Sequence, residues 1–600
     1  MTKILSIVII QVVVLVYNLC FYNKYYPIVE GWYSVYAEHI LRGKIPYIDF
    51  HFILPPVYPY FLTAVIQVLG HDILSLRLVG ILIVLLFSTF LFLIIRQVFD
   101  NVTSTIATLV AVIYYHSIVV YISYDFLQLL TLFLLISTYL IFESLHAKTK
   151  RSFIVSSFFA GVFGSLAVLT KQSNGFFVFA LLSVSFAIVH LSPFFRFSSV
   201  KKIVPYILGA FIPLLLVIFW LASHGAIQAF YQQVVVDASA SKGKMGTILT
   251  GWIPRTLNLS QFGSFFFLLI VLYCLGYFER VTVQPSVNDS SSPRKEYQKL
   301  LFVLIVGLLT VLVPLNRNLS SFLDSLMFDY SVSQIFYSVV IVVFVLSFAL
   351  LLPGFRVAVS PPEKEKKLLI LALMSIGFLL GNGTSAGISI YGAFIGLPIL
   401  ICILLQKTTP WNLGKLFFLP ACLLLMAFCV KSKYDKPYSW WGITEPGIYD
   451  SSSEPKTPLL KGLKLNPEST KMIDEVVELI KLNSTESDEV FTFPNVPIFT
   501  LMSERLSKQF VLLHWYDILP DNLAQSEAQR ILTEKPKVVV FLDLAESVLL
   551  GHELLFRSGG RIGQRDIIES IRKLSESPEY SLAGEYAIRE NNTLQVWIRR

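Results

Sequence analysis

The sequence predicts a polytopic α-helical membrane protein of about thirteen spans that ends in an extracytoplasmic α/β domain. Of its 600 residues, 55% are hydrophobic and 15% are charged, whereas a typical globular chain carries about 25% charge. Many segments approach the roughly 20 mostly apolar residues that cross a bilayer, and the polar residues gather after Lys431. We therefore expect a membrane domain over residues 1–430, a linker over 431–465 and a soluble domain over 466–600.

The predicted spans are long apolar runs separated by short polar loops. The stretch from Val57 to Leu69 begins with prolines and is too short to cross comfortably, so we expect it to be an interfacial or re-entrant helix. The spans run approximately over Ile4–Cys20, Ile73–Ile95, Thr105–Tyr121, Phe126–Phe142, Phe153–Leu169, Gly175–Leu191, Ile203–Leu221, Phe262–Phe278, Leu300–Leu315, Val332–Leu352, Leu368–Leu380, Ile388–Leu405 and Leu416–Val430.

The charges of the loops predict the orientation of these spans. Four short basic loops, at 146–151, 196–202, 294–299 and 363–367, fall on one side of the membrane, and the positive-inside rule makes that side cytoplasmic. The amino terminus is then cytoplasmic. The first loop with its juxtamembrane helices (21–72), the long loop 222–261 and the carboxyl-terminal domain are then extracytoplasmic. We expect an integral protein of the cell (inner) membrane, in contact with its lipids.

The soluble domain alternates helix and strand patterns. All five cysteines of the chain lie in apolar segments before residue 430, so no disulfide framework or zinc site is encoded in this domain. The predicted helices are Asn466 to about Lys481, Asn522–Thr533 and Gln564–Ser575, and the predicted strands are Val490–Phe493, Phe510–His514, Val538–Leu542 and the closing pair Tyr580–Ile588 and Thr593–Ile598.

Glu30 is the first candidate catalytic residue. Trp32, Tyr36 and Ile40 follow it at intervals of four, which predicts one stripe of a short helix lying along the membrane surface. Glu30 then stands at the amino end of that helix, where the helix dipole favours an ionised carboxylate. Such a carboxylate could accept a proton from an acceptor hydroxyl or amine. The alternative is that it only complements the dipole.

Short motifs in the first 175 residues resemble those of a known enzyme family. They are Glu30-Gly31-Trp32-Tyr33, Pro46-Tyr47-Ile48-Asp49-Phe50, Pro55-Pro56-Val57-Tyr58-Pro59 and Leu169-Thr170-Lys171-Gln172. In this order they resemble membrane glycosyltransferases of the GT-C superfamily, in the branch of protein O-mannosyltransferases and lipid A aminoarabinose transferases. Val29 departs from that pattern, since the family usually has Asp there. The resemblance implies that the role of this Asp falls to Glu30 or Asp49, or is absent.

The resemblance implies a reaction and its partners. A sugar would pass from a polyprenyl-phosphate donor to an acceptor glycan, lipid or protein on the outer face, with inversion at the anomeric carbon. No Asp-x-Asp pair occurs on an outer loop, so neither a metal nor another cofactor is predicted, and the net charge of +8 reflects topology rather than a nucleic-acid partner.

Outer-face cations are the candidates for holding the donor phosphate. Lys171 and Arg255 are the two preferred residues, because arginine in particular suits phosphate. The alternative for any of them is a side chain that only reaches the head groups or solvent. Lower-ranked candidates are Lys242, Lys244, Arg42 and Arg317.

Asp125 is the third candidate carboxylate, at the outer start of a predicted span. A polar residue at that depth is a functional candidate, and a helix N-cap is the alternative. A transporter or flippase for a lipid-linked glycan would be the second function class, but such proteins usually carry ionisable groups near the bilayer midplane, and the predicted spans have almost none. An inactive scaffold relative is the third, because of Val29.

Overall fold

The computed structural model describes residues 2–117, 124–191, 201–242, 256, 293–312, 332–356, 363–386, 390–405, 413–435, 439–440, 443–444, 447–588 and 591–600. Residue contacts divide the chain into two compact units. The first unit comprises Met1–Cys20, Ile81–Leu216 and Ile248–Tyr434. The second comprises Phe21–Gly80, Val217–Thr247 and Asp435–Arg600.

The described part of the first 435 residues is mainly helical. Its longer helices are α1 (Thr2–Leu19), α2 (Ile28–Leu41), α3 (Val57–Leu69), α4 (Ile73–Ile95), α5 (Asn101–Ser117), α6 (Phe126–Leu145), α7 (Lys150–Thr170), α8 (Gln172–His190), α9 (Val204–Ser223), α10 (Pro293–Leu312), α11 (Val332–Arg356), α12 (Glu363–Ala386), α13 (Gly396–Leu405) and α14 (Leu413–Asp435). Between α9 and α10, a helical segment over 227–242 consists of Ile227–Phe230, a π-helical turn at Tyr231–Asp237, and Ala238–Lys242.

Seven of the described helices are long and apolar enough to cross a membrane, namely α1, α4, α6, α7, α8, α9 and α12. The chain is therefore an integral membrane protein. The predicted span Ile73–Ile95 has the same bounds as α4, and α3 is one of the shorter apolar helices, as expected. The count of about thirteen spans stays a prediction, and its member Phe262–Phe278 lies outside the described residues.

Small residues bring the helices of the first unit together. A Cβ on Gly377 would lie 2.7 Å from the Cα of Val178, and one on Gly381 would lie 2.9 Å from the Cα of Asn174. These two glycines form a Gly-x-x-x-Gly pattern on α12, which permits close approach of helix backbones in a membrane. The contact fixes α8 against α12, and α8 begins immediately after Lys171.

The second unit contains a four-stranded mixed sheet flanked by helices. Its order is β3-β4-β6-β5; β3 and β4 are parallel, and the other two pairings are antiparallel. β4 is central and almost wholly buried. The elements are β1 (Ser439–Trp440), β2 (Ile443–Thr444), α15 (Pro467–Asn483), β3 (Val490–Phe493), α16 (Ile498–Met502), α17 (Asp521–Glu534), β4 (Val538–Asp543), α18 (Glu546–Arg557), α19 (Gln564–Glu576), β5 (Tyr580–Ile588) and β6 (Asn592–Arg599).

One predicted strand of this region is wrong. Phe510–His514 is irregular rather than part of the sheet. Its backbone pairs with loops, since the His51 amide donates to the Phe510 carbonyl (2.7 Å) and the His514 amide donates to the Pro494 carbonyl (3.2 Å). The apolar residues of this stretch, such as Val511, are buried. A buried loop and a buried strand have the same apolar pattern, so the pattern alone did not distinguish them. The sequence also missed the helix α18.

Candidate active site

Glu30 is fully buried in a bidentate ion pair with Arg77, which lies in the second turn of α4. Arg77 Nε donates to Glu30 Oε1 (2.7 Å) and Nη2 donates to Oε2 (2.5 Å), and both side chains have 0% exposure. Glu30 occupies the first turn of α2, as predicted. Both of its carboxylate oxygens thus accept hydrogen bonds from one guanidinium.

Arg77 also ties down the chain that follows the first span. Its Nη1 donates to the Tyr22 carbonyl (2.7 Å) and its Nη2 to the Tyr25 carbonyl (3.1 Å). The guanidinium carbon lies 3.9 Å from the centre of the Tyr25 ring. Sequence reasoning missed Arg77, although an ionisable residue inside an apolar span needs a partner or a function. That rule was the available signal.

The apolar stripe beside Glu30 faces protein. Trp32 and Tyr36 are 5% and 6% exposed. Trp32 Nε1 donates to the Asn495 carbonyl (3.1 Å), and its ring centre lies 6.0 Å from that of Trp515. The expectation that this stripe lies on the membrane surface is therefore wrong for these two residues. Helical periodicity predicts a buried face but does not identify what buries it.

Gly31 allows the close approach of α2 to α16. A Cβ at this position would lie 2.4 Å from the Cβ of Ile498, a distance that no side chain tolerates. The Glu30-Gly31 pair of the first-loop motif therefore combines a charged residue that pairs with α4 and a glycine that admits a neighbouring helix.

Asp49 occupies a half-buried turn. Its Oδ2 accepts from the Ile45 amide (2.7 Å), and its Oδ1 lies 3.7 Å from Lys44 Nζ. A short polar side chain that accepts from a backbone amide of its own turn is typical of turn stabilisation. Glu30 and Asp49 both belong to the second unit.

Asp125 and Lys171 belong to the first unit, and their charges interact. Asp125 caps α6, with its Oδ1 accepting from the Leu127 amide, and it is 7% exposed. Burial raises the pKa of Asp125 to about 7, while the backbone amide of Leu127 and the charge of Lys171 act in the opposite direction. The N-cap alternative is thus true of Asp125, and burial nevertheless shifts the pKa of this carboxyl upward.

Lys171 stands at the junction between α7 and α8 and is 8% exposed. Its Nζ lies 4.5 Å from the centre of the ring of Phe126, and Phe126 directly follows Asp125 in the chain. The start of α6 and the start of α8 thereby bring the charge of Lys171 close enough to act on the Asp125 carboxyl. This arrangement can hold an anion and move a proton.

Of the other candidate cations, three lie outside the described residues and two have acidic partners. Arg255, Lys244 and Arg317 lie outside the described residues. Lys242 lies 3.8 Å from Asp517, and the largely exposed Arg42 pairs with Glu38 at 3.2 Å. Within the described ranges, no group of three His, Cys, Asp or Glu side chains could hold a metal ion.

Comparison with known proteins gives one family match. Residues 54–222 match the family model of dolichyl-phosphate-mannose-protein mannosyltransferase. This match confirms the resemblance to the O-mannosyltransferase branch of glycosyltransferases over that range, which includes Arg77, Asp125 and Lys171 and excludes Glu30 and Asp49. No curated protein sequence matches the chain.

Several solved structures are similar. An oligosaccharyltransferase of Archaeoglobus fulgidus, in complex with Zn and sulfate, is 13% identical at a TM-score of 0.48, covering 98% of this chain and 74% of that one. ArnT from Cupriavidus metallidurans bound to undecaprenyl phosphate is 10% identical at 0.41, covering 98% and 97%. AglB from Archaeoglobus fulgidus, in complex with an inhibitory peptide and a dolichol-phosphate, is 10% identical at 0.42, covering 90% and 69%.

Proposed function

We propose that this protein transfers a sugar from a polyprenyl-phosphate donor to an acceptor glycan, lipid or protein at the outer face of the cell membrane. The observation that carries the proposal is that Asp125 and Lys171 are both buried, with Lys171 Nζ over the ring of Phe126 next to Asp125, within the range that matches the mannosyltransferase family. The donor sugar and the acceptor are left open by these residues.

In the proposed reaction Asp125 is the general base. It takes the proton of an acceptor hydroxyl or amine, whose oxygen or nitrogen attacks the anomeric carbon from the face opposite the phosphate. The bond from that carbon to the phosphate oxygen breaks, the configuration inverts, and polyprenyl phosphate leaves. Lys171, together with Arg255, would stabilise the phosphate charge. A carboxyl that titrates near neutrality suits a base at cellular pH.

Glu30 and Asp49 remain predicted catalytic residues of the same reaction. We favour Asp125 over Glu30 because both oxygens of Glu30 are occupied by Arg77, and over Asp49 because Asp125 lies within the range that matches the mannosyltransferase family and Asp49 lies outside it. Val29 stands where the family usually has Asp. In this proposal Asp125 is the base, and Glu30 has a positioning role through its ion pair with Arg77.

The clustering of three distant stretches supports the predicted orientation. Phe21–Gly80, Val217–Thr247 and Asp435–Arg600 form one compact unit. They correspond closely to the first loop, the long loop and the carboxyl-terminal domain, which the loop charges predict on the outer side. We therefore propose a cytoplasmic amino terminus and an extracytoplasmic carboxyl-terminal domain.

The test is sugar transfer in proteoliposomes that contain a panel of polyprenyl-phospho-sugars and membrane extract as the acceptor source. Wild type is compared with Asp125→Asn, Glu30→Gln and Asp49→Asn, and with Glu585→Gln in β5 as a control. Loss of transfer in Asp125→Asn with donor binding retained supports the proposal, whereas loss only in Glu30→Gln or Asp49→Asn moves the base there. If wild type moves labelled donor across the bilayer without transfer, the enzyme proposal is wrong and a flippase is favoured.

A further inference from the structure

The helical segment over 227–242 buries three of its polar side chains and exposes three of its apolar ones. Gln233, Asp237 and Ser241 are at most 6% exposed. Ile227, Tyr231 and Val235 are 49%, 60% and 45% exposed. A surface helix of a soluble protein shows the opposite pattern, with its apolar stripe toward the core.

The buried polar side chains bind the first loop of the second unit. Gln233 Oε1 accepts from the Phe52 amide (2.9 Å), and its Nε2 donates to the Tyr47 carbonyl (2.7 Å). Asp237 Oδ2 lies 3.3 Å from His51 Nε2. Each interaction satisfies a polar group that burial would otherwise leave costly. The inward orientation of this face is therefore fixed by specific partners.

The same segment also contacts the carboxyl-terminal residues of the second unit. Ser241 Oγ donates to the Ile518 carbonyl (3.3 Å), and the Ser241 carbonyl accepts from Arg557 Nη1. The π-helical turn at Tyr231–Asp237, a rare geometry that recurs at functional sites, places Gln233 and Asp237 on this inner face. With the inner face occupied by protein, the apolar stripe must face outward.

The stripe continues directly from a membrane span. α9 ends at Ser223, four residues before Ile227, and Phe219 near its end is 74% exposed. Trp220 packs edge-on against Tyr60 of α3 at 5.3 Å, and aromatic residues of this kind mark membrane–water interfaces. α3 itself exposes Val68 at its carboxyl end (79%).

We propose that the stripe formed by Ile227, Tyr231 and Val235 is buried in the bilayer surface at which α9 ends. The occupant is the acyl-chain boundary of the lipids rather than their charges, because residues 227–241 contain no lysine or arginine. An apolar helix face of this kind sinks about 5–10 Å into the interface. Through Gln233 and Asp237, the segment then sets the height of the Tyr47–Phe52 loop above the membrane.

The test uses nitroxide labels on the full-length chain in nanodiscs. Tyr231→Cys and Val235→Cys are compared with Leu482→Cys, in a background in which the five native cysteines are replaced. Leu482 is a matched control, since it is apolar and 75% exposed but lies at the end of α15, far in sequence from any span. Collisions with oxygen, which concentrates in lipid, are compared with collisions with a water-soluble nickel chelate.

The proposal expects oxygen to exceed the nickel chelate at positions 231 and 235, and the reverse at position 482. This result should be the same with zwitterionic and anionic lipids. Nickel accessibility at 231 and 235 equal to that at 482 would overturn it. Exclusion of both reagents from positions 231 and 235 would also overturn the proposal, because protein would then cover the stripe. Dipolar broadening between labels would identify that protein as a second copy of the chain.

A second measurement avoids the cysteine replacements. A photo-crosslinking amino acid at position 231 or 235 of the otherwise native chain is irradiated in nanodiscs, and the adducts are analysed by mass spectrometry. Phospholipid adducts at these positions and not at 482 support the proposal. Adducts only with water or protein contradict it.

Discussion

The two units each contain a buried carboxylate at the start of a helix that interacts with a cation, and the two carboxylates differ in which groups satisfy them. Glu30 gives both oxygens to Arg77, and neither side chain touches solvent. Asp125 accepts from the backbone amides of Leu127 and Gln128 and interacts with Lys171 through charge, and burial raises its pKa to about 7. A saturated pair is suited to holding structure, whereas a carboxyl that titrates near neutrality is suited to moving protons.

The largest expected effect separates the two pairs by activity. Asp125→Asn should lower sugar transfer about 10²–10⁴-fold, the range of general-base catalysis, without unfolding the protein, because Asn caps helices as well as Asp. Transfer rates and thermal unfolding are measured on the same preparation. Unchanged transfer would end the distinction drawn between the two carboxylates.

The saturated pair should respond through stability. Arg77→Met leaves a buried carboxylate without its partner and should cost about 3–5 kcal/mol, seen as a large fall in the apparent Tm. The double variant Glu30→Met/Arg77→Met removes both charges and should lose less than the single variant. A double variant that is less stable than Arg77→Met would contradict the ion-pair explanation.

A smaller loss is expected from crowding next to Glu30. Gly31→Ala places a Cβ 2.4 Å from Ile498 and should destabilise by about 1–3 kcal/mol, as overpacking does. Gly551→Ala is the matched control. It lies within α18 with no atom within 4 Å of the new Cβ, and it should gain about 0.5–1 kcal/mol. Equal effects on Tm at the two sites would show that the close approach is unimportant.

The smallest effect sharpens the proposed role of Asp125. A base works when deprotonated, so kcat/KM should rise with pH through about 7, the pKa of Asp125. Lys171 lowers that pKa, so Lys171→Met should move the midpoint to higher pH as well as weaken donor binding. Lys44→Met, next to Asp49, is the control and should leave the midpoint in place. A profile that is flat between pH 6 and 8 in wild type would argue against Asp125.

Sequence alone predicted the elements whose signals are local. The bounds of α4 follow from an apolar run, and the position of Glu30 in the first turn of α2 follows from the four-residue spacing of the apolar residues after it. It missed α18, where Gly551 interrupts the helical pattern and lowers its propensity.

The sequence could not identify the partners of these side chains that lie far away along the chain. Glu30 and Arg77 are 47 residues apart, and a carboxylate near a membrane looks the same whether it is open or paired. The Trp32 stripe was predicted to lie along the membrane surface for the same reason, because amphipathicity does not distinguish that surface from a protein surface contributed by residues hundreds of positions later. Asp125 and Lys171 were both predicted as site residues, but their proximity came only from the fold.

The discontinuous composition of the second unit bears on how the chain is made. Trp32 donates to Asn495, 463 residues further on, and at about 5–20 residues per second a ribosome needs roughly 25–90 s to synthesise the interval. During that time the face of α2 that later contacts Asn495 and Trp515 remains exposed. Nascent chains of this protein should therefore depend on holding factors at the membrane, and truncation before residue 495 should expose α2 to proteolysis even when every span has been inserted.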